Sequence, residues 1–405
     1  MEKNERLRAV FGDILKNTTE KKLITTTDVC IRSAGRGSST RGWRFKQWRP
    51  QLVITDDVED DDSVQTEHQR QKVERWFNAS VIPMRDPAHS RLLMVGTTLH
   101  QDALILRKKK TGAYRVFYRQ AILSEPNRPD LWEQWDAAWT QGGEEAADAF
   151  YAKHRAAMDE GTATLWPDRF PYVALMKVKK AIGSFAFQTE YQNDPIPEGS
   201  TVIKRSWVES ADRKRPKFIR DSNLILDGDA SIKLEDLVRF GAADVAISQK
   251  DGADYFVLAT GGWAEDGTIY IWDVIREHIL APQQVRLLLE QHQKWDYTRV
   301  GIEVVAYQEA LKQMVDDASA RGASYVPTVG VRPDKDKVRR MIRWQPQFEQ
   351  WRVRICDTVS TAAVDELTQF PLAKHDDVPD AVAYLLEVIE DTMQVQEMET
   401  FSFNG

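Results

Sequence analysis

Two short aliphatic runs, "QLVIT" (51–55) and "RLLMVGT" (91–97), predict buried parallel strands. Between them Val73, Trp76, Phe77 and Val81 recur at the spacing of a helix packed on a sheet. Strand, helix, strand is the βαβ unit of an α/β fold. Upstream, "KKLITTTDVCIRSAGRG" and "GWRFKQWRPQL" suit short strands joined by a loop. After Asp102 the pattern loosens into a Trp-rich, helical and loop-rich region. It ends near Pro195, Pro197 and Gly199, a domain boundary placed at residues 196–225.

Beyond that boundary "LVRFGAADVAIS", "DYFVLATGGWAE" and "GTIYIWDVIRE" read as three strands. The separators, Gln249 to Ala253 and Asp266-Gly267, look like hairpin turns, so the strands are expected to be antiparallel neighbours. An amphipathic helix "APQQVRLLLEQHQKW" follows, then a strand "RVGIEVV", a helix from about Tyr307, a strand "SYVPTVGV" and a closing helix in "HDDVPDAVAYLLEVIEDTM". Three hairpin strands followed by helix, strand, helix, strand, helix is the order of the ribonuclease H-like fold. The expected organisation is residues 1–195, a partial nucleotide-hydrolase domain with a helical subdomain; 196–225, a basic linker; 226–390, the ribonuclease H-like domain; and 391–405, a mobile acidic tail.

The chain's 405 residues suffice for two domains, and no apolar run approaches the roughly 20 residues that span a bilayer. The N-terminus lacks the apolar core of a signal peptide, which points to the cytoplasm. Cys30 and Cys356 match no metal spacing. A net charge of −7 argues against coating nucleic acid by global charge. Local basic stretches remain: "KRSWVESADRKRPKFIR", with Lys204, Arg205, Arg213, Lys214 and Arg215, and "DKDKVRRMIRW", with Arg339 and Arg340, are the candidate DNA-binding positions.

The chemistry lies in the acids. Asp244 sits inside an apolar strand, where a charge is costly unless it faces a site or a partner. Glu303 interrupts the apolar "GIEVV", and Asp376, Asp377 and Asp380 open the last helix. Each alone has an ordinary reading: a sheet-edge charge, a buried ion pair, a helix cap. Together, on successive core elements, they suit phosphodiester hydrolysis, which needs carboxylates converging on two metal ions about 4 Å apart. Oxygen ligands select Mg²⁺ or Mn²⁺. His375 adjoins this cluster, as His100 adjoins Asp102, and position is the whole case for either.

In the first half Asp56 and Asp57 end an apolar strand, the Walker B arrangement, and Thr97 and Thr98 follow the next strand, where hydroxyls can sense a γ-phosphate. The segment Gly37–Gly42 has the glycine separation of a P-loop but is followed by Trp43 and Arg44 instead of Lys and Ser or Thr, and reads as a decoy.

The succession "RPQLVITDDVEDDDSV", "MVGTTLHQDALI", "LWPDRF", "FQTEYQNDP", "GIEVVAYQEAL" and "KHDDVPDAVAYL" resembles the large terminase subunit of tailed bacteriophages, from about Trp43 to about Glu387. That resemblance implies an ASCE-type P-loop ATPase domain followed by a ribonuclease H-like nuclease that cuts concatemeric double-stranded DNA. It implies Asp56 as the Walker B acid, Asp57 where Glu is usual, and Thr97 and Thr98 as the coupling motif. Asp244, Glu303 and Asp377 become catalytic, metal-binding carboxylates, with Asp376, Asp380 and His375 accessory. Its partners would be DNA, the portal protein, the small terminase subunit and further copies of itself, in the cytoplasm of a bacterial host and outside the mature virion. The sequence before the Walker B strand is too short for an adenine site and P-loop, so the expectation is an incomplete ATPase that uses ATP only if a P-loop comes from elsewhere. The alternatives are a non-enzymatic packaging remnant or portal- or DNA-binding fragment, and a free-standing resolvase-like nuclease.

Overall fold

The computed structural model describes residues 6, 9–10, 12, 14–19, 21–64, 66–195, 197, 200–245, 255–303, 315, 325–332 and 336–402. The expected helix from Tyr307 and the turn at Gln249–Ala253 lie outside them. The chain divides into two compact units, Met1–Gln120 with Gln188–Ile196, and Ala121–Phe187 with Pro197–Gly405.

In the first unit β1 (Leu15–Thr19), β2 (Lys22–Thr25) and β3 (Cys30–Arg32) form an antiparallel sheet. β4 (Leu52–Asp56) pairs in parallel with β5 (Arg91–Val95) around α1 (Glu67–Trp76), and α2 (Leu104–Lys110) follows. Thr66 and Gln69 start α1 as a reciprocal cap: Gln69 N–H donates to Thr66 Oγ1 at 3.2 Å and Thr66 N–H to Gln69 Oε1 at 3.0 Å. The helix packs Val73 and, just beyond it, Phe77 and Val81 against Val53. The strands are buried on one face only. Leu52 and Ile54 are 60% and 57% exposed, because among the described residues no layer covers the other face of the pair.

The second unit opens with β6 (Ile122–Ser124), α3 (Pro129–Asp159), β7 (Ala163–Thr164) and α4 (Tyr172–Glu190), whose last residues from Gln188 belong to the first unit. These residues, expected to belong with 1–195, pack instead on the second unit. Ser184 N–H donates to Glu349 at 3.1 Å, Phe185 N–H to Gln345 Oε1 at 3.0 Å, and Gln350 Nε2 to the Lys180 carbonyl at 2.7 Å. The expected linker is likewise folded: Val202, Ile203, Trp207 and Val208 are core residues, and β8 (Lys217–Ile219) joins β9 (Leu224–Asp227) and β10 (Ala230–Lys233) in a small antiparallel sheet.

The main sheet contains β11 (Val238–Asp244), β12 (Phe256–Trp263), β13 (Ile269–Glu277), β14 (Arg299–Glu303), β15 (Thr328–Val331) and β16 (Val353–Ile355), with α5 (Ala281–Trp295), α6 (Lys337–Glu349), α7 (Thr361–Gln369) and α8 (Asp377–Ser402). The spatial order is β15-β14-β11-β12-β13-β16. β11, β12 and β13 are antiparallel neighbours, while β14 runs parallel to β11 and β15 to β14. That is the ribonuclease H-like topology expected from the element order, with β16 added beyond β13.

Helices cover both faces. On one, Ala242, Val257 and Ile271 meet Val378, Val382 and Leu385 of α8; on the other, Leu258, Trp272 and Val300 meet Leu288 and Trp295 of α5. Gly301 permits the close seat of α8, since a Cβ there would fall 2.6 Å from Val388 Cγ2 and 3.0 Å from Val331 Cγ2. This approach sets the N-terminal turn of α8 beside the ends of β11 and β14. α8 continues to Ser402 through the expected acidic tail, because "QVQEMETF" contains neither Gly nor Pro to end it.

Candidate active site

The parallel register places Ala243 opposite Ile302, so the next residues, Asp244 and Glu303, end adjacent central strands side by side. Their side chains are hydrogen-bonded. Asp377 and Asp380 lie three residues apart in the first turn of α8, on one helical face, and both are buried. Burial, and then the charges of Asp380, Glu303 and Asp377, hold the Asp244 carboxyl well above the ordinary carboxylate range. Asp380 is also pushed up by burial, although Arg340 and Lys337 oppose the shift.

The acids are held by Lys337 and by Arg340, which the sequence offered only as a DNA-binding candidate. Lys337, at the start of α6, contacts Asp376 at 2.7 Å and Asp380 at 2.8 Å, and Arg340, one turn on, approaches Asp380 at 3.3 Å. The two carboxylates push the Lys337 ammonium upward against its burial. Tyr255 N–H donates to Asp377 Oδ2 at 3.3 Å. Glu366 accepts from Val378 N–H at 2.8 Å and pairs with Arg276 at 3.1 Å, tying the start of α8 to β13. The Arg276 guanidinium lies 3.6 Å from the Tyr255 ring centroid, with His278 at 3.7 Å and His375 edge-on at 5.1 Å. The i, i+3 spacing of Lys337 and Arg340 was the available signal for two cations on one helical face. What they face was not in the local sequence.

Among the described residues no three His, Cys, Asp or Glu side chains form a ready-made metal cage. The donor set nevertheless suits a hard cation: carboxylate oxygens surround a buried acid whose own ionisation its neighbours oppose.

The basic stretches are largely engaged within the fold. Arg205 pairs with Glu209 and Asp365, and Arg215 donates to the carbonyls of Ile355 at 3.3 Å and Val359 at 2.6 Å, and also to that of Cys356. Arg213 donates to the Glu349 carbonyl at 3.1 Å, while Arg340 belongs to the acid cluster. Lys204 is exposed, 5.0 Å from the Trp207 ring centroid; Lys214 is exposed and Arg339 half-buried.

In the first unit Asp56 ends β4 and Asp57 follows with φ of +41°, its Oδ1 3.3 Å from where a Cβ on Gly96 would stand. Burial, and then the charge of Asp57, raises the Glu190 carboxyl. Thr98 is buried and its hydroxyl donates to the Asn193 carbonyl, so its contact is with the protein; Thr97 stands beside it after β5. Glu59, on which the sequence reading was silent, accepts from Leu104 N–H at 2.9 and 2.7 Å and caps α2. His100 Nδ1 accepts from Asp102 N–H at 2.9 Å, a local turn. The Gly37–Gly42 segment leads into further turns and not into a helix, so no helix N-terminus stands behind it to cradle phosphate.

Topology and side chains define an α/β protein with a ribonuclease H-like domain that carries a buried cluster of carboxylates. No protein-family model and no curated protein matches the chain. Its structural neighbours include large terminases, terminase nuclease domains and Holliday junction resolvases. The chain is similar to the Mn-soaked, inhibitor-bound human cytomegalovirus terminase nuclease domain (11% identity, 48% of this chain and 97% of that one, TM-score 0.36). It is also similar to the zinc-bound large terminase nuclease of thermophilic phage G20c (17%, 45% and 98%, 0.33). Over more of its length it is similar to the large terminase of another thermophilic bacteriophage (8%, 95% and 81%, 0.45). No helix of the described residues is long and apolar enough to cross a membrane.

Proposed function

We propose that the chain is a metal-dependent endonuclease for double-stranded DNA, working as a large terminase subunit in phage DNA packaging. The observation that carries the nuclease reading is Asp244, a buried carboxyl at the end of a central strand, hydrogen-bonded to Glu303 and pushed well above the ordinary carboxylate range by burial and by the charges of Asp380, Glu303 and Asp377. A divalent cation relieves that crowding. Asp244, Glu303 and Asp377 would hold Mg²⁺ or Mn²⁺, two ions in the full site, with Asp376, Asp380 and His375 accessory. Bound there, the metal supplies a nucleophilic water at neutral pH and charge stabilisation for the phosphodiester.

The protein's own groups prepare that site. The Tyr255 amide fixes one oxygen of Asp377. Glu366, tied to Arg276, holds the first turn of α8. Lys337 and Arg340 offset part of the negative charge and keep Asp380 and Asp376 turned toward α6. The packaging role rests on the ordered motifs named above. In it, Asp56 and Asp57 serve as the Walker B pair, Thr97 and Thr98 couple phosphate state to motion, and the portal, the small subunit and further copies are partners in the host cytoplasm.

One observation favours a second reading, a DNA- or portal-binding protein without catalysis: Lys337 and Arg340 already neutralise part of the acid cluster. Cleavage of supercoiled plasmid with Mg²⁺ or Mn²⁺ and no ATP separates the two. Metal-dependent nicking by the parent, lost in Asp244→Asn, is expected. Failure of folded parent protein to cut with either metal favours the binding reading.

A further inference from the structure

A second polar hollow lies in the same unit, far from the carboxylates. β11 and β12 pair so that Asp244 stands opposite Val257 and Val238 opposite Trp263. The β12–β13 turn therefore lies about 20 Å from Asp244, at roughly 3.3 Å per residue. The hollow, of about 910 Å³, is walled by that turn, the β9–β10 turn, residues 211–214, the middle of α3 and the segment leading into β16.

Arg213, Lys214, Arg352 and Arg354 line it against Asp212, Asp227 and Asp266, a local positive balance in a chain of net charge −7. The carboxylates are mostly committed elsewhere. Asp227 pairs with Arg354 and accepts from Tyr270 at 3.0 Å. Asp266 accepts from the Thr268 amide at 2.9 Å and its hydroxyl at 3.0 Å. With Asp227 paired to Arg354, Asp212 and Asp266 stand against Arg213, Lys214 and Arg352, which keeps the local balance positive.

Those cations have no carboxylate partner among the described residues. Arg213 donates to the Glu349 carbonyl at 3.1 Å, Arg352 donates to the Asp266 carbonyl at 2.9 Å, and Lys214 is exposed. A guanidinium carries five donors, so a single carbonyl leaves most of the fork for a planar or tetrahedral oxyanion. Arg213 and Arg354 lie 5.7 and 5.8 Å from the Trp351 ring centroid, which restrains their side chains.

On the α3 wall Gly143 breaks the helix with φ of +71° and ψ of −164°. A Cβ on Gly143 would meet nothing within 4 Å, so the glycine serves backbone conformation and the space beside it is open.

We propose that this hollow binds a phosphate ester, through Arg213, Lys214 and Arg352, supplied by either a polynucleotide backbone or a free nucleotide. The inference is separate from the nuclease reading, because no carboxylate of the acid cluster takes part.

The test uses the full chain and two probes: a fluorescein-labelled 20-base-pair duplex followed by anisotropy, and ADP without metal followed by calorimetry. The variants are Lys214→Gln, whose exposed side chain has no internal partner, Lys214→Gln/Arg352→Gln, and Arg352→Lys, which retains the charge. If a polynucleotide supplies the phosphate, the double variant weakens duplex binding and lowers the salt slope by about 2, near 0.9 per lost phosphate contact. Arg352→Lys recovers part of that loss, and Asp244→Asn does not reproduce it. If a nucleotide supplies it, ADP binding falls in the double variant while duplex binding is unchanged. Unchanged binding of both probes, or absence of binding to either in the parent, overturns the proposal, whatever the plasmid-cleavage result.

Discussion

Replacing Asp244 by Asn should abolish cutting and stabilise the metal-free fold. Asp244 is buried against Glu303 with Asp377 and Asp380 nearby. Two like charges about 4 Å apart at an effective dielectric of 20 repel by about 4 kcal/mol. Burial and these charges push the Asp244 carboxyl well above its ordinary range, which relieves part of the repulsion, and Asn retains a donor toward Glu303, so the net gain at pH 7.5 should be about 1–2 kcal/mol. At about 2–4 °C per kcal/mol, Tm should rise by about 2–8 °C in EDTA. The folded state of the parent binds the proton more tightly than the unfolded chain, so its stability falls as pH rises from the unfolded value of about 3.9 toward the raised folded value. The advantage of Asp244→Asn is therefore largest at neutral pH and shrinks as pH falls toward about 4. Metal reverses the order: at about 100 times its Kd, Mn²⁺ adds about 2.7 kcal/mol to the parent and little to the variant. Differential scanning fluorimetry across pH, with EDTA and with Mn²⁺, reads all three effects. A variant no more stable than the parent in EDTA at pH 7.5 would refute this account of Asp244.

Other positions give independent checks. Glu366→Ala leaves Arg276 without its carboxylate and Val378 N–H without its acceptor; we expect a loss of about 2–4 kcal/mol by urea unfolding and weakened Mn²⁺ binding by calorimetry. Gly301→Ala forces a methyl toward Val388 and Val331, and should cost about 1–3 kcal/mol in thermal unfolding without altering the metal dependence of any cutting. Arg205→Ala, which removes pairs with the partly exposed Glu209 and Asp365, should cost at most about 1 kcal/mol and leave duplex affinity unchanged by anisotropy, since that side chain is occupied within the fold. Lys337→Met removes the bridge between Asp376 and Asp380, and should lower stability in EDTA by about 1–3 kcal/mol, with part recovered on adding Mn²⁺.

Much of the second unit was legible from local pattern. The turn at Asp266-Gly267 and the apolar runs on either side determined two antiparallel strands, and the runs around Asp244 and Glu303 marked two strands that the structure pairs in parallel. A carboxylate inside an apolar strand is a local anomaly, and that is why both residues could be singled out from sequence. Charge along the chain does not say what each basic side chain meets: Arg205 reaches Asp365, and Arg215 reaches the carbonyls from Ile355 to Val359, partners 140 or more residues away. The assignment of Ala121–Phe187 to the second unit depends on backbone bonds to Gln345 and Glu349, which no helical periodicity encodes. Sequence by itself determined the order of elements and which acids interrupt them, since both follow from near-neighbour periodicity and local desolvation cost. Only the tertiary structure decided that Lys337, Arg340, Tyr255 and Glu366 hold those acids, because charge pairing and burial act between surfaces the chain brings together after long separations.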